Sequence, residues 1–227
     1  QLHEVIRLSG MNLIIDDFDH QLIIKVASVQ QSRMQVYFID NEEYFPKRHY
    51  LNDPEGNFMQ NNDERMMFFC KGVIETVKKL GWAPDIIHCN GWFSALVPMY
   101  IKKLYSQDPM FSHTKVYYTV FDNPFKGDLN NSLSEKLLFE ELENKDVEMI
   151  DNPTFDNLNK FAISYSDAVV QGSKKLNKNL FKFINDINLP VLVKTDEDNF
   201  EEQCLSFYES TSKSKNTKKK KELVEAV

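Results

Sequence analysis

The sequence has few glycines, and none of them lies close to another. The seven glycines of the 227-residue chain stand at positions 10, 56, 72, 81, 91, 127 and 172. Dinucleotide-binding fingerprints and Walker loops both need glycines at short, fixed spacing, so that the backbone can approach a phosphate. The sequence therefore contains neither of these phosphate-binding loops.

Cysteine and histidine are also scarce. The three cysteines, Cys70, Cys89 and Cys204, are too far apart and odd in number for a disulfide framework or a zinc knuckle. The five histidines include no HExxH pair, and no serine lies in a GxSxG elbow. We therefore expect no metal, no cofactor and no catalytic nucleophile, and we expect the cysteines to be reduced and mostly buried.

Long apolar runs are missing as well. No stretch approaches the roughly 18 apolar residues of a membrane-spanning helix. The opening residues, QLHEVIRLSG, lack the basic start and apolar stretch of a signal peptide. The net charge of −7 opposes an unspecific attraction to nucleic acid over the folded part. These absences predict a cytoplasmic protein with neither a membrane nor a nucleic acid as its partner.

The periodicity that is present predicts an α/β fold. Residues 11–15, 22–28 and 34–39 alternate as paired strands do, and residues 40–60 are loop-like. From residue 61 a helical pattern begins, with Asn61 as its N-cap and Glu64 three positions on, and it ends near Gly81. Strand and helix then alternate to about residue 193, which favours a largely parallel sheet with helices on its faces.

The composition changes after residue 193. Residues 196–202 are acidic. Residues 210–221 contain only Ser, Thr, Lys and Asn and therefore have no apolar side chain. Such a segment has nothing to bury that would offset the entropy of ordering. We therefore predict a domain at 1–193 and a tail at 194–227 that is disordered from about residue 210. A role of the lysine-rich tail in binding a partner is an alternative to a solvated terminus.

Polar and aromatic residues follow two predicted parallel strands at the point where each strand ends. His88, Asn90 and Trp92 follow one of them, and residues 121–127 follow the other. Ligands of open parallel sheets bind beyond the carboxyl ends of the strands, so these segments and the Asn-rich helix start at 61–63 are expected to form one cleft. Amide and aromatic side chains suit a sugar, which presents hydroxyl groups and apolar ring faces.

Each of these residues also has a purely structural interpretation. Asn61 is a suitable helix cap, and His88 lies between apolar residues as a core histidine does. Trp92 is placed to pack as the first turn of a helix, while Asp122 and Asn123 precede Pro124 and are ordinary turn formers. Residue types alone do not separate the two interpretations.

Four segments resemble the bacterial glycogen synthases and plant starch synthases. DIIHCNGWFSALVPMYIKK, at 85–103, is similar to their His-x-His-Asp-Trp segment and the helix start that follows it. Residues 119–127 resemble their Thr-x-His-Asn-x-x-Tyr-x-Gly segment, and residues 61–68 resemble their Asp-Asn-x-x-Arg-Phe helix start. Residues 166–173 resemble a Ser/Ala-Asp-x-Val-x-x-x-Ser stretch of the same family. The order and spacing are those of one Rossmann-like domain.

The resemblance implies the N-terminal half of a GT-B fold, which is a Rossmann-like three-layer domain. In the family, two such halves bind ADP-glucose and the non-reducing end of an α-1,4-glucan, and glucose is transferred without a metal and with retention at the anomeric carbon. The chain is also similar to short single-domain members from Bacteroidetes-type bacteria. We therefore expect an α-glucan or maltooligosaccharide as a ligand.

The sequence departs from the family at its ends. It begins at Gln1, and neither the family's Lys-x-Gly-Gly-Leu donor loop nor its C-terminal domain, with the cations that neutralise the leaving diphosphate, is found in it. Because stabilising that charge is a large part of the catalytic effect, we expect ADP-glucose to be used only with further segments or a partner chain. An N-terminally truncated domain is also expected to have an unpaired strand edge and a lower melting temperature than a version with that strand restored.

The sequence departs from the family within the expected cleft as well. Asn61 stands where the family has Asp, and Asn90 and Phe121 stand where it has His. An amide still hydrogen-bonds a hydroxyl but does not titrate near neutral pH. We therefore expect no catalytic residue in this chain. The expected substrate-binding residues are Asn61, His88, Asn90, Trp92, Asp122 and Asn123.

The function expected from the resemblance is thus that of a glycogen or starch synthase family domain related to glucosyl transfer but inactive by itself. If it is active, it is a retaining hexosyltransferase. The alternative is a non-catalytic descendant of that domain that binds glucan or serves a regulatory role.

Overall fold

The computed structural model describes residues 5–29, 34–46, 50–194 and 199–224, with the backbone alone for residues 213–224. The described strands form two sheets. Three strands make an antiparallel sheet in the order β1-β2-β3, and four make a parallel sheet in the order β4-β5-β6-β7. The mixed α/β architecture with a parallel sheet that the sequence predicts is confirmed.

The antiparallel sheet comes from the three segments with alternating polarity. Its strands are β1 (Ile6–Ile15), β2 (Phe18–Ser28) and β3 (Gln35–Asp40). Asp16 and Asp17 join β1 to β2, and both have positive φ, 48° and 65°, as the tightest hairpin turns require. The alternate residues Leu13, Ile15, Leu22 and Ile24 are buried in the core.

Helix α1 (Asn62–Leu80) is the longest element between the two sheets. It ends at Gly81, whose φ of 71° is the left-handed conformation that glycine adopts without strain. Asn61 does occupy the N-cap position, but its side chain makes no capping hydrogen bond. The expected capping box of Asn61 and Glu64 is therefore wrong, and the Asn61 amide is not engaged by the helix end.

The parallel sheet is built from short strands. They are β4 (Ile86–Asn90), β5 (Lys115–Val120), β6 (Ala168–Gln171) and β7 (Val191–Val193). The sequence analysis missed β7, because three residues carry too little periodicity to indicate a strand.

The helices that connect these strands are shorter than their apolar patterns predict. They are α2 (Val97–Lys103), α3 (Leu133–Leu138), α4 (Asn144–Val147), α5 (Phe155–Ser164) and α6 (Lys178–Asp186). The apolar pattern from about residue 92 to 105 predicts a single helix, but the structure has a 3-10 turn, Trp92–Ser94, followed by α2. Pro98 lies in the first turn of α2, where its missing N–H is tolerated, so the helix begins there rather than at Trp92.

Helix α7 (Phe200–Val224) begins in the segment that we expected to be a tail. Its first turns cover one face of the parallel sheet, where Phe207 and Tyr208 contact Tyr117 of β5. The opposite face, with Val116 and Tyr118, belongs to the main core. Aromatic residues of the 199–212 segment thus provide the packing of α7 on this face. The domain boundary at 193 and disorder beyond residue 210 stay predictions.

Among the described residues, no helix has the length and apolar character to cross a membrane.

Candidate functional site

The carboxyl ends of β4 and β5 lie side by side, as the motif order predicts. Asn90 of β4 pairs with Thr119 of β5, and the Gly91 amide donates to the Thr119 carbonyl over 3.0 Å. The segments that follow the two strands therefore start from one edge of the sheet. This edge is the position at which open parallel sheets bind ligands.

Trp92 is the centre of an aromatic cluster at this edge. Its ring lies 4.7 Å from that of Phe125 and 6.3 Å from that of Phe58, measured between centroids. Phe58 and Phe125 stack with centroids 5.3 Å apart and ring planes at 17°. The side chain of Trp92 is 4% exposed, so it forms the floor of the cluster while Phe58 and Phe125 are half-buried above it.

A shallow cavity of about 520 Å³ opens beside this cluster. Its walls are the segment before α1 and the loop after β5, and they carry aromatic, amide and charged groups together. The lining residues are Tyr50, Leu51, Asn52, Asp53, Phe58, Pro124, Phe125 and Lys126. Sequence analysis missed the part from Tyr50 to Phe58, because an aperiodic loop gives no signal of what it faces.

The loop after β5 is held by Phe125 in the aromatic cluster and by a hydrogen bond to Ser173, while its polar side chains face solvent. The Asp122 amide donates to Ser173 Oγ over 2.9 Å, and the side chains of Asp122 and Asn123 are exposed. The side chain of Asn90 is exposed as well, and its Nδ2 donates to the His88 carbonyl over 3.2 Å. Three of the expected ligand residues therefore present polar groups to solvent at one edge.

The segment that leads into α1 carries Phe58 of the aromatic cluster. Asn61 is partly exposed, whereas Asn62 and Asp63 are fully buried. Asn62 accepts a hydrogen bond from Arg65 Nη1 at 2.5 Å, and Asp63 accepts one from Lys136 Nζ at 2.8 Å. Asp63 thus belongs to an internal ion pair, and Asn61 is the group of this helix start that remains open to a ligand.

Phe121 occupies the space directly at the strand ends. A Cβ atom at Gly172 would lie 2.5 Å from the Phe121 ring, and one at Gly91 would lie 3.7 Å from it. The ring therefore rests on the backbone of two glycines.

Among the expected ligand residues, Trp92 belongs to the cluster, none of the six lines the cavity beside it, and His88 contacts α7 instead. Its Nε2 lies 2.6 Å from Thr119 Oγ1, and its Nδ1 contacts the hydroxyl of Tyr208 on α7. Burial lowers the pKa of His88, since a charged ring is disfavoured away from water. The structure therefore places His88 under α7 with both ring nitrogens hydrogen-bonded.

Comparisons with known proteins identify the family of this domain. The family model described as the starch synthase catalytic domain matches residues 1–187. This chain belongs to that family. A glycogen synthase from Chlorobium limicola is 38% identical over 143 residues, which are 63% of this chain and 29% of the relative. A glycogen synthase from Chlorobaculum parvum is 31% identical over 185 residues, which are 79% of this chain and 36% of the relative.

A solved structure of the same family shares the fold. The catalytic domain of starch synthase IV from Arabidopsis thaliana, bound to ADP and acarbose, matches with a TM-score of 0.65 and 19% identity. The match covers 85% of this chain and 41% of that one. The starch synthase family domain described here thus has the α/β fold of a GT-B catalytic domain. It spans about a third of the length of the glycogen synthases it matches.

Proposed function

We propose that this domain binds the non-reducing end of an α-1,4-glucan at the carboxyl-end edge of its parallel sheet and does not transfer glucose by itself. The observation that carries the proposal is the Phe58–Trp92–Phe125 cluster beside the cavity. Family membership and the likeness to a starch synthase that holds ADP and acarbose support it. The cytoplasmic location expected from the sequence is part of the same proposal.

The chemistry of the cavity suits an oligosaccharide. Exposed aromatic rings stack on the apolar faces of pyranose rings, and the side chains of Asn52, Asp53 and Lys126 offer hydrogen bonds to hydroxyl groups. Asn61 and Asn90 add neutral amides near the same edge. Neutral and singly charged groups around an aromatic wall recognise a sugar better than they recognise a diphosphate.

Transfer of glucose needs more than this edge provides. A leaving diphosphate develops charge that must be stabilised in the transition state, and a proton-transfer group near the reacting oxygen needs a suitable pKa. At the strand ends, Asn90 presents an amide and Phe121 an apolar ring. We therefore assign transfer from ADP-glucose to this domain only when further segments or a partner chain complete the cleft.

Titration with maltoheptaose tests the binding. Trp82 is 52% exposed, so Trp82→Phe leaves Trp92 as the sole fluorescent indole, and amide NMR shifts of residues 121–127 give a second readout. We expect saturable binding with a Kd of about 1 mM, which corresponds to about 4 kcal/mol. Phe125→Ala should weaken binding about tenfold, because it removes one stacking surface. Phe181→Ala, which truncates an exposed ring on α6, should not.

Two outcomes count against the proposal. Unchanged fluorescence and unchanged amide shifts at 20 mM sugar, taken as about twenty times the expected Kd, would refute binding at this edge. Incorporation of labelled glucose from ADP-glucose into glycogen by the purified chain would refute the absence of transfer.

A further inference from the structure

One wall of the cavity beside the aromatic cluster is a loop that folds back on itself. This wall loop, residues 51–59, contains an isolated antiparallel bridge between Asn52 and Phe58. At its base, the amide of Met59 donates to the carbonyl of Leu51 over 3.0 Å. Asn52 and Phe58 line the cavity, so the position of the wall loop determines the width of the cavity.

The tip of the wall loop is held by hydrogen bonds within the loop. The Asp53 carboxylate accepts from the Asn57 amide over 2.8 Å and from Asn57 Nδ2 over 3.2 Å. The Asp53 amide donates in turn to the Asn57 carbonyl over 2.8 Å. These bonds preserve the shape of the loop, but they do not fix where it lies on the domain. Its position therefore depends on the contacts that it makes with other segments.

Phe58 provides an apolar contact between the wall loop and the opposite wall of the cavity. A Cβ atom at Gly127 would lie 2.8 Å from Phe58 Cβ, so the backbone of the segment after β5 approaches this side chain closely. Apolar contacts have no preferred direction, whereas a hydrogen bond requires both a distance and an angle. A hydrogen bond from the rest of the domain is therefore better suited to fix the position of the loop.

A buried chain of hydrogen bonds holds the base of the wall loop. Asn62 Nδ2 donates to the Leu51 carbonyl over 2.9 Å, and Asn62 Oδ1 accepts from Arg65 Nη1. Arg65 Nε donates to the Tyr44 carbonyl over 2.6 Å. Asn62 and Arg65 are both 0% exposed and lie in the first turn of α1. The chain thus connects the wall loop to a helix that packs in the core.

We propose that Asn62 is a positioning residue for sugar binding, because its amide holds the wall loop in place and Arg65 orients that amide. This role rests on the proposed function, since it concerns the same cavity. An amide side chain donates through nitrogen and accepts through oxygen, so the guanidinium at Oδ1 directs Nδ2 to Leu51. A loop that is in place before the ligand arrives costs less to order on binding, which raises the affinity. Asn62 is buried and acts through the loop rather than by contact with the sugar.

The substitution Asn62→Asp removes the bond to the wall loop and keeps the bond to Arg65. A carboxylate accepts from Arg65 Nη1 and is favourable in the first turn of a helix, but it cannot donate to the Leu51 carbonyl. Without sugar, we expect the Met59 amide to exchange its hydrogen about tenfold faster, because the loop opens more often. The Ile74 amide in the middle of α1 should be unaffected. Binding of maltoheptaose should weaken about fivefold.

Asn41→Asp is the matched control. Asn41 is 5% exposed, its Nδ2 donates to the Gln21 carbonyl over 2.8 Å, and its Oδ1 accepts from the Tyr44 amide over 2.8 Å. The same substitution thus removes the same kind of bond within the antiparallel sheet. It should leave exchange at Met59 and the affinity for maltoheptaose unchanged. Equal losses of affinity in Asn41→Asp and Asn62→Asp would indicate a purely structural role and would overturn the proposal.

Measurements with and without sugar separate this proposal from the proposed function. Unchanged exchange at Met59 in Asn62→Asp would overturn the positioning role whether or not the wild type binds sugar. Faster exchange together with an unchanged affinity would overturn it as well, because the loop would then not serve the ligand. Absence of maltoheptaose binding by the wild type would instead refute the proposed function, and with it the role of Asn62 in sugar binding.

Discussion

Single side chains at the strand ends determine what the domain offers to a ligand. Asn90 presents an amide and Phe121 an aromatic ring, and both residue types are visible in the sequence. The partners of these residues are not visible there. Phe121 rests on Gly91 and Gly172, which is 51 residues away in the chain, and only the folded sheet brings them together. The family motif identified the positions, but packing determines how each one is used.

His88 shows the same limit at the residue scale. The pattern of its neighbours predicted either a ligand residue or a core histidine, and it contained no information about Tyr208, which is 120 residues away. The hydrogen bonds of His88 are those of a core histidine, because both ring nitrogens have a partner within the protein. His88 also borders a cavity that is lined by residues of β3, α1 and β4.

The lowered pKa of His88 predicts a loss of stability on mild acidification. Burial favours the neutral ring in the folded state, so the unfolded chain, with a histidine pKa of about 6.5, binds the proton first. This contribution to stability is complete above pH 6.5 and is lost as the pH falls through that value. Urea unfolding between pH 7.5 and 5.5 should therefore show a smaller pH dependence in His88→Gln than in the wild type.

A matched histidine gives the control for this measurement. His113 is exposed, and His113→Gln should change the unfolding free energy at pH 7.5 by less than about 0.5 kcal/mol. An equal pH dependence in His88→Gln and in the wild type would show that the ring does not titrate with folding.

At the scale of elements, long periodic segments were predicted well and short ones were not. The three strands of the antiparallel sheet and α1 were located from their apolar patterns, although β1 and β2 begin earlier in the structure than the predicted residues 11 and 22. β7 was missed, and the apolar run after Trp92 was assigned to one helix although it contains two elements. Local patterns report burial of one face, whereas the ends of short elements depend on contacts with distant residues.

The docking of α7 is the least expected element contact, and it gives a stability prediction. The Tyr208 ring lies 5.2 Å from that of Tyr117 and 5.7 Å from that of His88, in edge-on geometry. Tyr208→Ala removes these contacts from a half-buried site and should lower the free energy of unfolding by about 1–2 kcal/mol.

Leu205, which is 61% exposed on the same helix, provides the comparison. Leu205→Ala should change the free energy of unfolding by less than about 0.5 kcal/mol. Chemical denaturation at pH 7.5 measures both variants. Equal values for Tyr208→Ala and the wild type would mean that α7 does not dock on the sheet in solution.

For the molecule as a whole, the family motif near residue 167 has a structural role. Asp167 accepts hydrogen bonds from Lys102 Nζ at 2.5 Å, Lys115 Nζ at 3.2 Å and the Val116 amide at 2.9 Å. It precedes β6, so one carboxylate joins α2, β5 and the start of β6. Burial by itself raises the pKa of Asp167, but these partners outweigh it, and the net pKa is lowered.

This lowered pKa predicts how the molecule responds to acid. A carboxylate with a depressed folded pKa stabilises the fold above its unfolded value of about 3.9, and that contribution is lost as the pH falls further. Asp167→Asn should lower the free energy of unfolding at pH 7 by about 1–3 kcal/mol. The difference from the wild type should shrink toward pH 3.

An exposed carboxylate separates this effect from a general change in charge. Asp186→Asn, at the exposed end of α6, removes the same charge and should leave unfolding at pH 7 within about 0.5 kcal/mol of the wild type. A destabilisation by Asp167→Asn that stays constant from pH 7 to pH 3 would contradict the titration of this group. Urea denaturation at both pH values makes the comparison.

The ring of Phe121 has a consequence for how readily this domain can change. A larger residue at Gly172 is excluded by the close approach of that ring, whose atoms would lie 2.5 Å from a new Cβ. Histidine is smaller than phenylalanine and is of similar shape, so we expect position 121 to accept an imidazole. A substitution that introduces a titrating side chain at position 121 is therefore sterically allowed, whereas a larger side chain at position 172 is not.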